Sequence, residues 1–358
     1  MKNNQKGITL IALVITIVIL LILAGISISG LSDNGLFGKA QDAKSDYQAA
    51  QENEEAILGD YLQKLERLEI KVGDKIEYDE GTGKTSTIDT AFVMDDMEWR
   101  ILDVEPDGTV ELISTQPTTS TFTIPGEDGW LNAESNLDTL CNDLYANGEG
   151  VTARGLKVED IDKLAGVITE QDKKACKSSY GSLWRYMYND TTKKIQYSTS
   201  TDEGITWTGY TDAKDAKFKA PGEVEINSSN YLDSDGNPII KEVEYTNYSY
   251  TISEKITNKT SDDISIAELI TQGLNDSNDA TSGENITQWL SSRSTAGSNV
   301  RAFWNVRWIA SGRVTTCDIW HSNSGKTEND RKIRPVVTIP ATATLTKVDG
   351  VWKVELTK

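Results

Sequence analysis

Cysteine and histidine are scarce in this chain of 358 residues, which has three Cys and one His. Cys141, Cys176 and Cys317 are odd in number and lack C-x-x-C spacing, which excludes a dense disulfide scaffold. Three buried thiols are the expectation, ahead of one bridge plus a free thiol. With His321 as the sole imidazole and no cysteine cluster, neither a structural metal site nor a cofactor is expected. A catalytic triad would have to use His321, and no G-x-S-x-G turn accompanies it, so the chain is not expected to be an enzyme. Basic residues are also in deficit: 36 Lys and Arg face 55 Asp and Glu, a net charge of −19. A body that acidic repels phosphate backbones, which makes nucleic acid a poor partner.

What the chain does have, first, is a long apolar run. No charge occurs from Ile8 to Ser32, whereas Lys2 and Lys6 precede it. As a helix rising about 1.5 Å per residue, residues 8–32 are long enough for a hydrocarbon core of about 30 Å. The run is rich in β-branched Ile and Val, but lipid demands internally bonded backbone, so helix prevails over strand. The flanking lysines place the short leader inside and the remainder outside. The apolar stretch is too long for a secretory signal, and Ile22-Leu23-Ala24 is a weak cleavage site. A plain signal anchor would satisfy the same physics.

The junction Lys6-Gly7, followed by Ile8-Thr9-Leu10-Ile11 and the apolar helix, resembles the class III signal of type IV prepilins. That resemblance implies cleavage after Gly7 by a prepilin peptidase, and a methylated amine on Ile8 as the mature N-terminus. It further implies a helix that is retained in the membrane and later joins other pilin subunits through the assembly machinery. In one respect the chain departs from the family. The fifth mature residue is Ala12, where most pilins carry a glutamate that pairs with a neighbouring subunit's amine. Its absence fits a minor or tip subunit better than the main repeating one.

Beyond the turn signal Ser32-Asp33-Asn34-Gly35, apolar residues including Leu36, Ala40, Ala43, Tyr47, Ala50, Ile57 and Leu65 recur at helical spacing. The remainder of that stretch is Lys, Asp, Glu and Gln. This predicts an amphipathic stalk helix over residues 33–68, after a leader of residues 1–7 and a membrane helix of residues 8–32. Residues 69–358 would then form an extracellular head, anchored to the cell membrane by a single pass. Within the head, Trp99–Glu105 and Thr109–Ser114 flank Pro-Asp-Gly and predict a hairpin. Leu137, Leu140, Cys141 and Leu144 predict a short helix stopped by Asn147-Gly148, and Val158, Ile161, Leu164 and Ala165 a second one. Residues 178–263, rich in Ser, Thr, Asn and Tyr, read as a β-rich insertion with alternating stretches such as Val243–Ile252. Strands are predicted over Ala302–Ala310 and Arg331–Ile339, with a closing hairpin around Val348-Asp349-Gly350-Val351. Helices and strands are segregated, so the fold class is α+β, with a largely antiparallel β-rich head.

The C-terminal third carries Trp289-Leu-Ser-Ser-Arg293, Arg301-Ala-Phe-Trp304-Asn-Val-Arg307, Trp320 and Ile333-Arg334-Pro335-Val-Val. This order is similar to a clostridial surface-domain family often found behind pilin-like N-termini. Its ending is also similar to the C-type-lectin-like fold of formylglycine-generating enzymes. Six of the ten arginines and five of the nine tryptophans fall between Trp289 and Trp352. Tryptophan faces stack on sugars and arginines fork onto anions, which makes Arg301, Trp304, Arg307 and Trp320 candidates for binding a glycan or an anionic polymer. The alternative is that they are core residues and internal ion pairs. Alternation along the strand places Trp304 and Trp308 on one side and Arg301 and Arg307 on the other, so one set should be buried and the arginines exposed. Asp233-Ser-Asp235-Gly236-Asn237 looks like the start of a calcium loop, but no glutamate sits at the required spacing, and a hairpin turn is expected. The functional expectation is a minor or tip pilin-like subunit whose head serves adhesion or assembly. A monomeric membrane-anchored lectin or sensor, or a pseudopilin of a secretion system, is the alternative.

Overall fold

The computed structural model describes residues 14–20, 44–54, 69–213, 217–257, 264–272, 287–298, 301–322, 325–326 and 328–356. The chain divides into two compact units, Met1–Leu65 and Glu66–Lys358. In the first unit, residues 14–20 and 44–54 are helical, as the apolar run and the stalk pattern predict. Among the described residues no helix is long and apolar enough to cross a membrane. Gly7, Ile8 and Ala12 lie outside the described residues, as do residues 21–43 and 55–68.

The second unit is a head of eighteen strands and six short helices among the described residues. The first strands are β1 (Lys75–Glu77), β2 (Trp99–Val104), β3 (Val110–Ser114), β4 (Phe122–Pro125) and β5 (Thr152–Gly155). Residues 178–263 contribute β6 (Leu183–Asn189), β7 (Lys194–Ser200), β8 (Thr211–Asp212), β9 (Ile240–Glu244) and β10 (Tyr250–Thr251). Then follow β11 (Gln288–Gly297), β12 (Ala302–Ala310), β13 (Arg313–His321), β14 (Gly325–Lys326) and β15 (Glu328–Arg331). The chain closes with β16 (Pro335–Ile339), β17 (Thr344–Val348) and β18 (Val351–Glu355).

A seven-stranded sheet runs β17-β18-β1-β2-β3-β16-β5, antiparallel except where β1 meets β18. Its central strands are buried on both faces, and strand alternation sends successive residues to different cores. Leu112 and Val337 join a core with Trp99, Trp352 and the helix Ala133–Tyr145. Their neighbours Ile113 and Val336 join a second core with the helices Val158–Ala165 and Ile266–Thr271. Leu137, Leu140, Cys141 and Leu144 are all buried, which is why that amphipathic helix was readable. The β2–β3 hairpin forms as predicted, although a bulge interrupts it between Ile101 and Asp103. At the β17–β18 turn Asp349 and Gly350 both adopt positive φ, the two-residue hairpin geometry that Asp-Gly favours.

A second sheet orders β10-β13-β12-β11, with β14 on β13, and β4 pairs with β15. The inserted segment builds its own four-stranded sheet, β8-β7-β6-β9. That sheet docks on the start of β12 through an aromatic cluster, with Phe218 stacked on Tyr186 at 4.3 Å and tilted against Trp304 at 6.0 Å. The predicted alternating strand Val243–Ile252 does not form as one piece. The β9 ladder ends at Glu244, Tyr245 and Thr246 still bond to the backbone of Gly181, Ser182 and Thr295, and a strand resumes only at Tyr250, after which Ile252–Lys255 is helical. Tyr248, Tyr250, Ile252 and Ile256 enter the second core, so this part of the insertion is interior and not surface lobe. The cysteines are unpaired. Cys141 is buried as expected, whereas Cys176 and Cys317 are only half-buried.

Candidate functional site

Strand β12 carries two of the four candidate binding residues, and neither of its faces is open. Val306 and Trp308 belong with the first core, Ile309 with the second, and Trp304 with the insertion's aromatic cluster. The expectation that arginines would face outward is therefore corrected, since Arg307 is 2% exposed and Trp304 4%. The cause is position: β12 is flanked by β11 and β13 and covered from both sides. Arg301 and Trp320 are half-buried, and Trp320 lies opposite Trp304 across the ladder, where a bulge shifts the register.

Arg307 acts internally. Its guanidinium donates to the Tyr248 carbonyl at 2.8 Å and the Thr246 carbonyl at 2.6 Å, and lies 4.0 Å from the centre of the Tyr248 ring. Those two carbonyls belong to the stretch where β9 has ended and β10 has not begun, so their strand partners are missing. Tyr248 and Tyr250 in turn donate their hydroxyls to Asp162, Tyr250 at 2.7 Å. Burial pushes the Asp162 carboxyl up and the Arg307 guanidinium down, because each charge is removed from water.

Arg334, from the quoted Ile333-Arg334-Pro335 motif, behaves likewise. It is fully buried and donates to the carbonyls of Leu269 at 2.7 Å, Ile270 at 2.9 Å and Gln272. It thereby satisfies the carbonyls that the C-terminus of the helix Ile266–Thr271 leaves open. Burial lowers its pKa to about 9. Both arginines hold irregular backbone to the sheets.

Arg301 sits 5.0 Å over the Phe303 ring, and Phe303 packs edge-on against His321 at 6.3 Å. His321 Nε2 lies 3.5 Å from Asp318, whose carboxyl is raised to about 6 by burial, opposed by Arg301. Burial and the nearby Arg301 charge push the imidazole below its ordinary value. Asp233 accepts from the backbone of Asp235 and Asn237 at 2.9 and 2.8 Å, the hairpin turn expected of that stretch. Among the described residues the carboxylates of Asp103, Glu105 and Glu111 converge within 4.8 Å. Lys163 already bridges Asp103 and Glu105, and Arg154 holds Glu111 at 2.8 Å, so each carboxylate of the cluster already has a cationic partner.

Open space lies elsewhere. A cleft of 620 Å³ runs over β1, β2 and β18, lined by Lys75, Glu77, Tyr78, Trp99 and Lys353 among others. A second groove, of 480 Å³, opens between the insertion sheet, the helix Gly126–Leu131 and β11. Of the four candidates only Trp304 reaches this groove. The sequence reading missed its other main residues: Trp130, which lies far from the Trp-rich third, and Arg293, which was quoted only as part of a motif. Nothing local in the sequence marks either one, because the groove is assembled from segments more than a hundred residues apart.

Comparison with known proteins places the prokaryotic N-terminal methylation motif on residues 2–28. This is a type IV pilin-like N-terminus; the motif supports a pilin- or pseudopilin-type protein and implies processing by prepilin peptidase. No curated protein and no solved structure matches the chain, so the head is known by its own strands alone.

Proposed function

We propose that this chain is a minor or tip subunit of a type IV pilus-type assembly, anchored in the cell membrane with its head outside. The observation that carries the reading is the Lys6-Gly7-Ile8 junction at the start of the uncharged run, within the methylation motif. Ala12 in place of the family's glutamate favours a scarce subunit over the repeating one. An apolar helix with an unpaired carboxylate is costly in lipid, and one lacking it enters the membrane easily but lacks that docking pair. The head is displayed for adhesion or assembly and is not catalytic in this reading.

Mass analysis of the N-terminus of membrane-extracted protein tests it. The chain should begin at Ile8 with a methylated amine. Gly7→Val should block cleavage and leave the protein in the membrane, because the apolar run is untouched. An intact Met1 in the wild type, or a start beyond Ala24, would overturn the reading.

A further inference from the structure

We propose that the groove between β9, β11 and the helix Gly126–Leu131 binds a neutral saccharide. The inference deepens the adhesion branch of the proposed function by giving the head a ligand class. One wall is the Trp130 indole, fixed by its Nε1 donating to the Asn305 carbonyl at 3.1 Å and by the Arg293 guanidinium 4.7 Å from its ring. The facing wall comes from the insertion, where Glu242, Val243 and Glu244 follow one another on β9.

Two of the groove's three carboxylates are held in place by arginines. Glu134 accepts from the Arg293 backbone N–H at 2.9 Å and lies 3.5 Å from its guanidinium. Glu242 accepts from Arg185 Nε at 2.6 Å, and that guanidinium is itself stacked 3.6 Å over the Trp207 ring. Glu244 is exposed; its backbone pairs with Leu183 and its carbonyl accepts from Thr295 Oγ1. At the groove's inner side Ser294 is 3% exposed and its hydroxyl has no partner.

These features select a ligand. The exposed Glu244 carboxylate can accept two hydroxyl donors at once, the arrangement that vicinal sugar hydroxyls supply. Half-buried Trp130 offers apolar surface for the C–H face of a pyranose ring, and the volume is in the range of small-ligand sites. A polyanion would meet Glu244 and the field of a chain with net charge −19, which opposes it. A polycation finds two of the three carboxylates already paired. A neutral, hydroxyl-rich ring is the chemistry that remains.

The test uses full-length protein in detergent micelles. Chitotriose and maltotriose serve as neutral probes, heparin as polyanion and oligolysine as polycation, with binding read by saturation-transfer NMR and calorimetry. At least one neutral probe should bind, and Glu244→Gln should weaken it about tenfold, as loss of a charge-assisted hydrogen bond would. Trp130→Phe should also weaken it while keeping an aromatic wall; Glu244→Gln should melt like the wild type, whereas Trp130→Phe loses the bond to the Asn305 carbonyl and should melt lower. Binding of heparin or oligolysine alone, absence of binding by either neutral probe, or neutral binding that survives both substitutions would overturn the proposal. N-terminal mass analysis of the same sample reports separately on the pilin reading, so failure of one is distinguishable from failure of the other.

Discussion

At the scale of single residues, Arg307 shows how a functional-looking side chain becomes a structural one. Its forked donors hold two carbonyls of Thr246 and Tyr248 that no strand pairs, and its charge faces Asp162 through the two tyrosines. Truncation to alanine would strand both carbonyls and leave Asp162 without its nearest cation. Unsatisfied buried groups of this kind each cost about 1–3 kcal/mol. We therefore expect Arg307→Ala to destabilise the head by about 3 kcal/mol or more, seen as a lower urea midpoint in tryptophan fluorescence. Arg307→Lys should recover little, since an ammonium cannot reach both carbonyls as a planar fork does. If Arg307→Ala melted like the wild type, the internal role assigned to this guanidinium would be wrong.

At the scale of elements, the predicted β-hairpins and both predicted helices were legible because their apolar spacing is local. Leu137, Leu140, Cys141 and Leu144 repeat at helical intervals, and the Asp349-Gly350 turn marks its own hairpin. The Val243–Ile252 stretch was misjudged for a physical reason. Its alternation satisfies the strand pattern, yet its Thr246 and Tyr248 carbonyls are taken up by Arg307, which lies more than fifty residues away. The insertion also depends on a contact that its own composition does not reveal. Gly297 on β11 approaches the Trp184 ring of β6 so closely that a Cβ there would stand 2.8 Å from it. Gly297→Ala should force the insertion sheet away from β11 and cost about 1–3 kcal/mol, the usual penalty for overpacking. Differential scanning calorimetry checks the stability, and blue-shifted or red-shifted Trp184 emission reports the displacement. An unchanged melting profile would show that the sheet shifts without strain.

At the scale of the whole molecule, the two units carry different kinds of information. The first holds a prepilin-type motif and an uncharged run, the second a head whose strands and cores organise the groove beside β9 and β11. The departure at Ala12 bears on abundance in an assembly. Immunogold labelling of cells is expected to find this chain at filament tips or not at all, and Ala12→Glu should raise its incorporation if the missing pair is what keeps it scarce. Dense labelling along whole filaments by the wild type would contradict the minor-subunit reading. By itself the sequence determined the prepilin-type motif, the charge-free run, the α+β class and the locally patterned elements. These depend on short-range spacing and on composition, which need no folded context. Only the tertiary structure decided the fate of the Trp- and Arg-rich third. Whether Arg307, Arg334 and Trp304 face solvent depends on which sheets cover β12 and which carbonyls lack partners nearby. Tyr186 and Phe218 cover Trp304, Thr246 and Tyr248 cover Arg307, and Leu269–Gln272 covers Arg334, so burial there is a property of the assembled head and not of the strand that carries the residues.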